Sequence, residues 1–297
     1  VDPAPSLGSL AAGAQLMDLG GDGKQDCVTR GRGTEGFYER TDDGKWCSFR
    51  SFKSIPNVDW QNPNLRLIDL TGDGLADVLI TEHDVFVWYP SKGKEGYAPS
   101  ESVRKQFDEE KGPAIVFADS TQSVFLADMS GDGLVDIARI CNGKACYWPN
   151  LGYARFGSKV TLGRLPQSGV FDHPDMYDPG RVRLADIDGS GTTDILYLKG
   201  DRIDVYLNQS GNTLRNADPI ITLPGIDNLT SIDIVDVLGK GTACLVWSSS
   251  KPTDATRPMK YVDLMAAGKP HLLVASCNNM GRENLFHYAS STEFYLE

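Results

Sequence analysis

Leu67-Ile68-Asp69-Leu70-Thr71-Gly72-Asp73-Gly74-Leu75-Ala76-Asp77 is a phrase that the chain repeats, and its recurrence decides the fold. It returns as Leu16-Met17-Asp18-Leu19-Gly20-Gly21-Asp22-Gly23-Lys24-Gln25-Asp26 and as Leu126-Ala127-Asp128-Met129-Ser130-Gly131-Asp132-Gly133-Leu134-Val135-Asp136. A further copy reads Leu184-Ala185-Asp186-Ile187-Asp188-Gly189-Ser190-Gly191-Thr192-Thr193-Asp194. Two decayed copies keep only the first Asp and a Gly: Asp236 with Gly241, and Asp263 with Gly268. The first acids are separated by 51, 59, 58, 50 and 27 residues. The longer intervals suit one four-stranded propeller blade each, with modest loops.

The flanks agree. Apolar pairs such as Leu67-Ile68 precede each loop, and β-rich runs such as Val78-Leu79-Ile80, Ile137-Ala138-Arg139-Ile140 and Ile195-Leu196-Tyr197-Leu198 follow it. Aromatic stretches come next: Val85-Phe86-Val87-Trp88-Tyr89, Cys146-Tyr147-Trp148 and Val205-Tyr206-Leu207. Short runs of period-2 character between Gly- and Asn-rich turns mean an all-β chain. The expectation is a β-propeller of six blades, with seven as the alternative. The final interval of 27 residues is too short for a blade, so the C-terminal closure should be irregular. Residues 1–262 are read as the propeller, and 263–297 as a degenerate last repeat and connection. The Trp and Tyr residues of the aromatic strands belong to the blade core.

Within each copy the residues fit a cation loop. Positions one, three and five carry side chains that can converge, position six is Gly, position seven offers a backbone carbonyl, and position nine closes with a carboxylate. Oxygen ligands at this spacing suit calcium, which accepts six to eight oxygens in flexible geometry. The candidate ligands are Asp18, Asp22, Lys24 and Asp26 in loop one; Asp69, Thr71, Asp73, Leu75 and Asp77 in loop two; Asp128, Ser130, Asp132, Leu134 and Asp136 in loop three; and Asp186, Asp188, Ser190, Thr192 and Asp194 in loop four. Lys24, Leu75 and Leu134 enter through their carbonyls. Loop one is the poorest, because Gly20 has no side chain. Position twelve lies in a strand, so the loop is no EF-hand, which needs a Glu there. Up to four structural calcium ions are expected. The competing reading is an Asx-turn loop whose acids only cap backbone N–H groups. In the fifth copy Lys240 and Cys244 replace ligands, so an ammonium can stand in for the ion and no calcium is expected. The sixth copy has lost its ligands.

Composition excludes several functions. Forty acidic against 29 basic residues give a net charge of -11, which repels nucleic-acid phosphates and anionic membranes. No apolar run is long enough to span a bilayer. The chain starts at Val1-Asp2-Pro3 without Met and is read as a fragment lacking its targeting segment. The six cysteines leave two readings open: a Cys141–Cys146 bridge across a hairpin turned by Asn142-Gly143, or free thiols. No HExxH, G-x-S-x-G or P-loop is present. Gly31-Arg32-Gly33 precedes no helical pattern, and Phe171-Asp172-His173-Pro174-Asp175 reads as a surface loop. No enzyme is expected.

The acidic loops resemble the FG-GAP/VCBS repeats of integrin heads and bacterial surface propellers. A second set of phrases resembles the middle region of toxin-complex B components and SpvB-like, Rhs-containing proteins. These are Lys269-Pro270-His271-Leu272-Leu273, Asn278-Asn279-Met280-Gly281-Arg282-Glu283, Tyr288-Ala289-Ser290-Ser291-Thr292 and Phe294-Tyr295-Leu296, with Val87-Trp88-Tyr89-Pro90 and Trp148-Pro149-Asn150-Leu151-Gly152-Tyr153. The resemblance implies a secreted or cell-surface propeller that docks on a channel-forming A component, gates translocation, and precedes an Rhs-type shell. The net charge and the lack of a long apolar run imply no nucleic acid partner and no membrane insertion by this fragment. The alternative is a calcium-dependent adhesion or lectin-like propeller.

Overall fold

The computed structural model describes residues 5, 14–31, 35–163, 170–221, 225, 227, 229–266, 268–270 and 272–295. Val1, Asp2, Pro3, Arg32, Gly33, His271 and Leu296, which enter the sequence reading, lie outside the described residues. Two compact units appear, residues 1–124 with 148–159, and residues 125–147 with 160–297.

The described residues form antiparallel sheets in strict chain order. Blade one holds β1 (Gln15–Met17), β2 (Asp26–Thr29), β3 (Gly36–Tyr38) and β4 (Arg50–Ser51). Blade two holds β5 (Leu65–Ile68), β6 (Asp77–Thr81), β7 (Val85–Tyr89) and β8 (Glu101–Arg104). Blade three holds β9 (Val124–Ala127), β10 (Asp136–Cys141), β11 (Lys144–Trp148) and β12 (Val160–Thr161). Blade four holds β13 (Val182–Ala185), β14 (Asp194–Leu198), β15 (Ile203–Gln209) and β16 (Thr213–Asn216). Blade five has only three strands: β17 (Thr230–Val235), β18 (Cys244–Ser249) and β19 (Met259–Asp263). A hairpin of β20 (Ala275–Cys277) and β21 (Glu283–Leu285) and a 3₁₀ turn at Ser291–Tyr295 complete the described chain.

Alternation along the strands builds the core of the second unit. Successive side chains of a strand point to opposite faces. Ile195 and Tyr197 of β14 join Met129, Ile140, Tyr147 and Leu162 of blade three. Leu196 and Leu198, one residue out of phase, join Ile232, Leu245 and Trp247 of blade five. A strand packed on both faces reads as a continuous apolar run, which is why β14 lacks a polar side after Asp194. The first unit repeats the scheme with Leu19, Val28 and Phe37 in one cluster and Leu65, Val78, Ile80 and Tyr97 in another. Trp88, Trp148, Tyr147 and Tyr206 are all buried, as core aromatics should be.

The structure corrects two sequence expectations. Five blades, not six or seven, are present among the described residues. Asp263 is the last residue of β19, the third strand of blade five. The phrase at 263–271 therefore does not connect a first strand to a second, and the short final interval holds β18 and β19, not a blade. Of the two readings left open for the cysteines, free thiols hold: Cys141 and Cys146 are not bridged, and all six cysteines are free. β10 ends at Cys141 and β11 begins at Lys144, so the two-residue turn sets Cys141 against Lys144, not Cys146.

Candidate cation loops

Each repeat loop joins the first strand of a blade to its second. The loops span residues 18–25, 69–76, 128–135, 186–193 and 236–243, and position nine opens the second strand every time. The Gly at position six has φ of +81°, +83°, +88°, +91° and +71° in the five loops, a conformation that a Cβ disfavours.

The first Asp organises the loop from inside. Asp18 accepts N–H bonds from Gly20, Gly21 and Asp22 on Oδ1, at 3.0, 2.7 and 3.2 Å, and from Gly23 on Oδ2 at 2.7 Å. Asp69 accepts from Thr71 and Gly72 on Oδ1 and from Gly74 on Oδ2. Asp128 accepts from Gly131 and Gly133, Asp186 from Ser190 and Gly191, and Asp236 from Lys240 and Gly241. Burial opposes ionisation of Asp18, but its four backbone bonds outweigh it and hold the carboxyl below the usual range. Asp22, Asp73 and Asp132 make a second turn, each accepting the N–H of position seven: Lys24, Leu75 and Leu134.

The ninth Asp does different work. Asp26, Asp77, Asp136 and Asp194 are buried. Asp77 Oδ2 accepts the Leu70 N–H and Oδ1 the Ser91 N–H, at 3.2 and 2.7 Å. Asp194 does the same with Ile187 and Asn208, at 2.9 and 2.7 Å. Asp136 accepts from Met129 and Ser130, and Asp26 from Arg40. This carboxylate thus ties the loop to the second strand and, in blades one, two and four, to the end of the third. Burial pushes Asp77 up to about 6 and Asp194 up to about 7, with the backbone bonds pulling down and the other loop acids pushing up.

The loops are not equivalent as cation sites. In loop four, ligand oxygens of Asp186, Asp188 and Asp194 lie within 4.8 Å of one another, the one such trio of His, Cys, Asp or Glu among the described residues. Ser190 and Thr192 stand beside them, their hydroxyls 3.0 Å apart. That oxygen set fits a hard cation best. In loops two and three the third-position hydroxyls of Thr71 and Ser130 lie 3.5 and 3.4 Å from the first Asp, so an oxygen pair is formed while the remaining acids stand farther apart. Loop one brings no third-position oxygen. In loop five the Lys240 ammonium pairs with Asp263 at 3.4 Å. Asp263 faces Cys244 across the β18–β19 ladder, so a neighbouring strand supplies the carboxylate that position nine has lost.

Sequence reasoning missed three residues here. Asn208 donates to the carbonyls of Met129 and Thr193 and accepts the Gly211 N–H. Glu39 and Lys94 form an ion pair at loop one. Asn208 and Glu39 stand a strand or more beyond the loop they serve and Lys94 in the next blade, so loop spacing gives no sign of them.

These sheets and loops define an all-β propeller with acidic inter-strand loops. Residues 208–297 match the family described as insecticide toxin TcdB middle/N-terminal region. The whole chain is similar to a solved Photorhabdus luminescens Tc holotoxin pore chain, at 30% identity and a TM-score of 0.80, covering 100% of this chain and 13% of that one. It is similar to a chain in the TcdB2-TccC3-Cdc42 crystal structure, at 25% identity and a TM-score of 0.55, covering 95% of this chain and 15% of that one. An Agrocybe aegerita lectin that recognises terminal N-acetylglucosamine shares the fold alone, at 19% identity, a TM-score of 0.55, and coverage of 79% and 59%. No curated protein matches. The likenesses support a propeller of the toxin-complex B component kind. The chain spans about 13–15% of the length of the solved toxin chains it matches.

Proposed function

We propose that this chain is a docking and gating propeller that seats a toxin-complex B component on its channel-forming A component for toxin translocation. One observation carries the reading: likeness to a Tc holotoxin pore chain runs through all of this chain at 30% identity. The family match at 208–297 supports it from a second direction. In this reading the repeats are of the FG-GAP/VCBS type and their loops hold structural calcium. Residues 263–297 lead toward an Rhs-type shell in the same or a partner chain. The protein is secreted with its complex.

Electron microscopy of the chain mixed with a purified channel-forming A component tests the reading. Added density at the mouth of the channel is the expected result. Bare A component at saturating concentrations, together with binding to a glycan array, would instead favour the lectin-like alternative.

A further inference from the structure

Loop one lacks a side chain at position three, and the structure puts something else there. A Cβ built on Gly20 would lie 3.0 Å from Lys94 Nζ and 3.5 Å from Asp22 Oδ2. The Lys94 ammonium therefore stands where the side chain of the third ligand would project. It lies 2.6 Å from Glu39 Oε1 and 3.6 Å from Asp22 Oδ2. Lys94 comes from the turn after β7, in blade two. That turn is held against loop one by Gly93, whose added Cβ would sit 2.5 Å from the Leu19 carbonyl oxygen.

Comparison with the next loops sharpens the point. The equivalent turn after β11 brings Gly152 toward the Leu70 carbonyl of loop two, and the turn after β15 brings Gly211 toward the Met129 carbonyl of loop three. The residue after each Gly is Tyr153 or Asn212, neither of them a cation. Loops two and three also keep a hydroxyl at position three, Thr71 and Ser130. The loop that lost its third ligand is thus the loop whose neighbouring turn carries a lysine. Lysine is a compact charge on a flexible stem, so it can place a monovalent charge among carboxylates where no divalent ion binds.

We infer that Lys94 occupies the cation position of loop one, so that calcium enters loops two, three and four but not loop one. The inference rests on the proposal that the repeat loops hold calcium, and it lowers the expected number of ions from four to three. A divalent ion in loop one would need the ammonium to withdraw and would still lack a side-chain ligand at position three.

The test is a calcium count by equilibrium dialysis of the 297-residue chain against about 5 mM calcium chloride, above the range typical of extracellular modules. The wild-type chain binds three ions, and the double variant Gly20→Asp/Lys94→Met binds four. Asp186→Asn lowers the wild-type count to two. Melts in EDTA give a second readout: Lys94→Met lowers the melting temperature, and in the double variant calcium restores it. Four ions in the wild-type chain, or a double variant that stays at three while its circular dichroism is native, overturns the assignment of Lys94 and leaves the calcium reading standing. No calcium bound by any of these chains overturns both.

Discussion

A Cβ on Gly93 would lie 2.5 Å from the carbonyl oxygen of Leu19, so the turn after β7 and the loop after β1 meet backbone to backbone. Gly93 also has φ of +58°, where an L side chain is strained. Gly93→Ala combines both costs and should destabilise the chain by about 3 kcal/mol. Gly74 has φ of +83° but open space around its Cβ position, so Gly74→Ala should cost only about 1 kcal/mol. Urea denaturation of both variants checks the contrast. Equal losses would mean that the contact with Leu19 contributes nothing.

Asn208 joins two blades through a fully used amide. It serves the carbonyls of Met129 and Thr193 and the N–H of Gly211, and its own N–H reaches Asp194. Asn208→Ala leaves these buried groups without partners and should cost about 2–4 kcal/mol. Asn208→Asp keeps the shape, loses both donors and adds a charge near Asp194, so it should cost at least as much. The same denaturation series reads both, and a variant within about 0.5 kcal/mol of wild type would contradict the role of the amide.

Lys105 gives the chain a signature at alkaline pH. Its ammonium donates to the carbonyls of Glu82 and of Ile115, the latter at 2.6 Å, and lies 4.8 Å from the centre of the Phe86 ring. Burial lowers its pKa from the ordinary 10.5 to about 8, while Asp84 and Glu82 act in the opposite direction. Between those two values the unfolded chain binds more protons than the folded one, so stability from this group rises with pH. Below about 8 both states are protonated and the slope vanishes. The stability of wild type relative to Lys105→Met should therefore increase from pH 8 to pH 10. A flat difference would place the ammonium in water.

Calcium should raise the melting temperature, because an ion that binds only the folded chain stabilises it by mass action. One site at tenfold its dissociation constant contributes about 1.4 kcal/mol. Asp73→Ala and Asp132→Ala should each remove part of the shift, and Asp22→Ala should remove none. A shift that is absent in wild type would leave the loops as Asx-turn scaffolding and the fold unchanged.

Much of this architecture was legible in the sequence because each blade announces its first turn. The Asp-to-Asp phrase places the loop between β5 and β6 at 69–76, and the runs after it are the second and third strands. The end of the chain was not legible, since Asp263 repeats the look of a loop opener while sitting in a third strand. Its carboxylate was conserved in space, opposite Cys244, not in the repeat. The positions of the acidic loops were legible, but the use of the ninth Asp as a backbone acceptor was not. Asp77 and Asp194 look like closing ligands, yet both oxygens of each accept backbone N–H bonds. Lys94 escaped notice because it lies 55 residues from its partner Glu39, and only packing of neighbouring blades brings them together.

Binding of the chain to an immobilised channel-forming A component tests the central claim most directly. The account predicts saturable association of one chain per channel mouth, retained by the Lys94→Met variant if that variant keeps its native fold. A natively folded chain that shows no saturable association with the A component would contradict it.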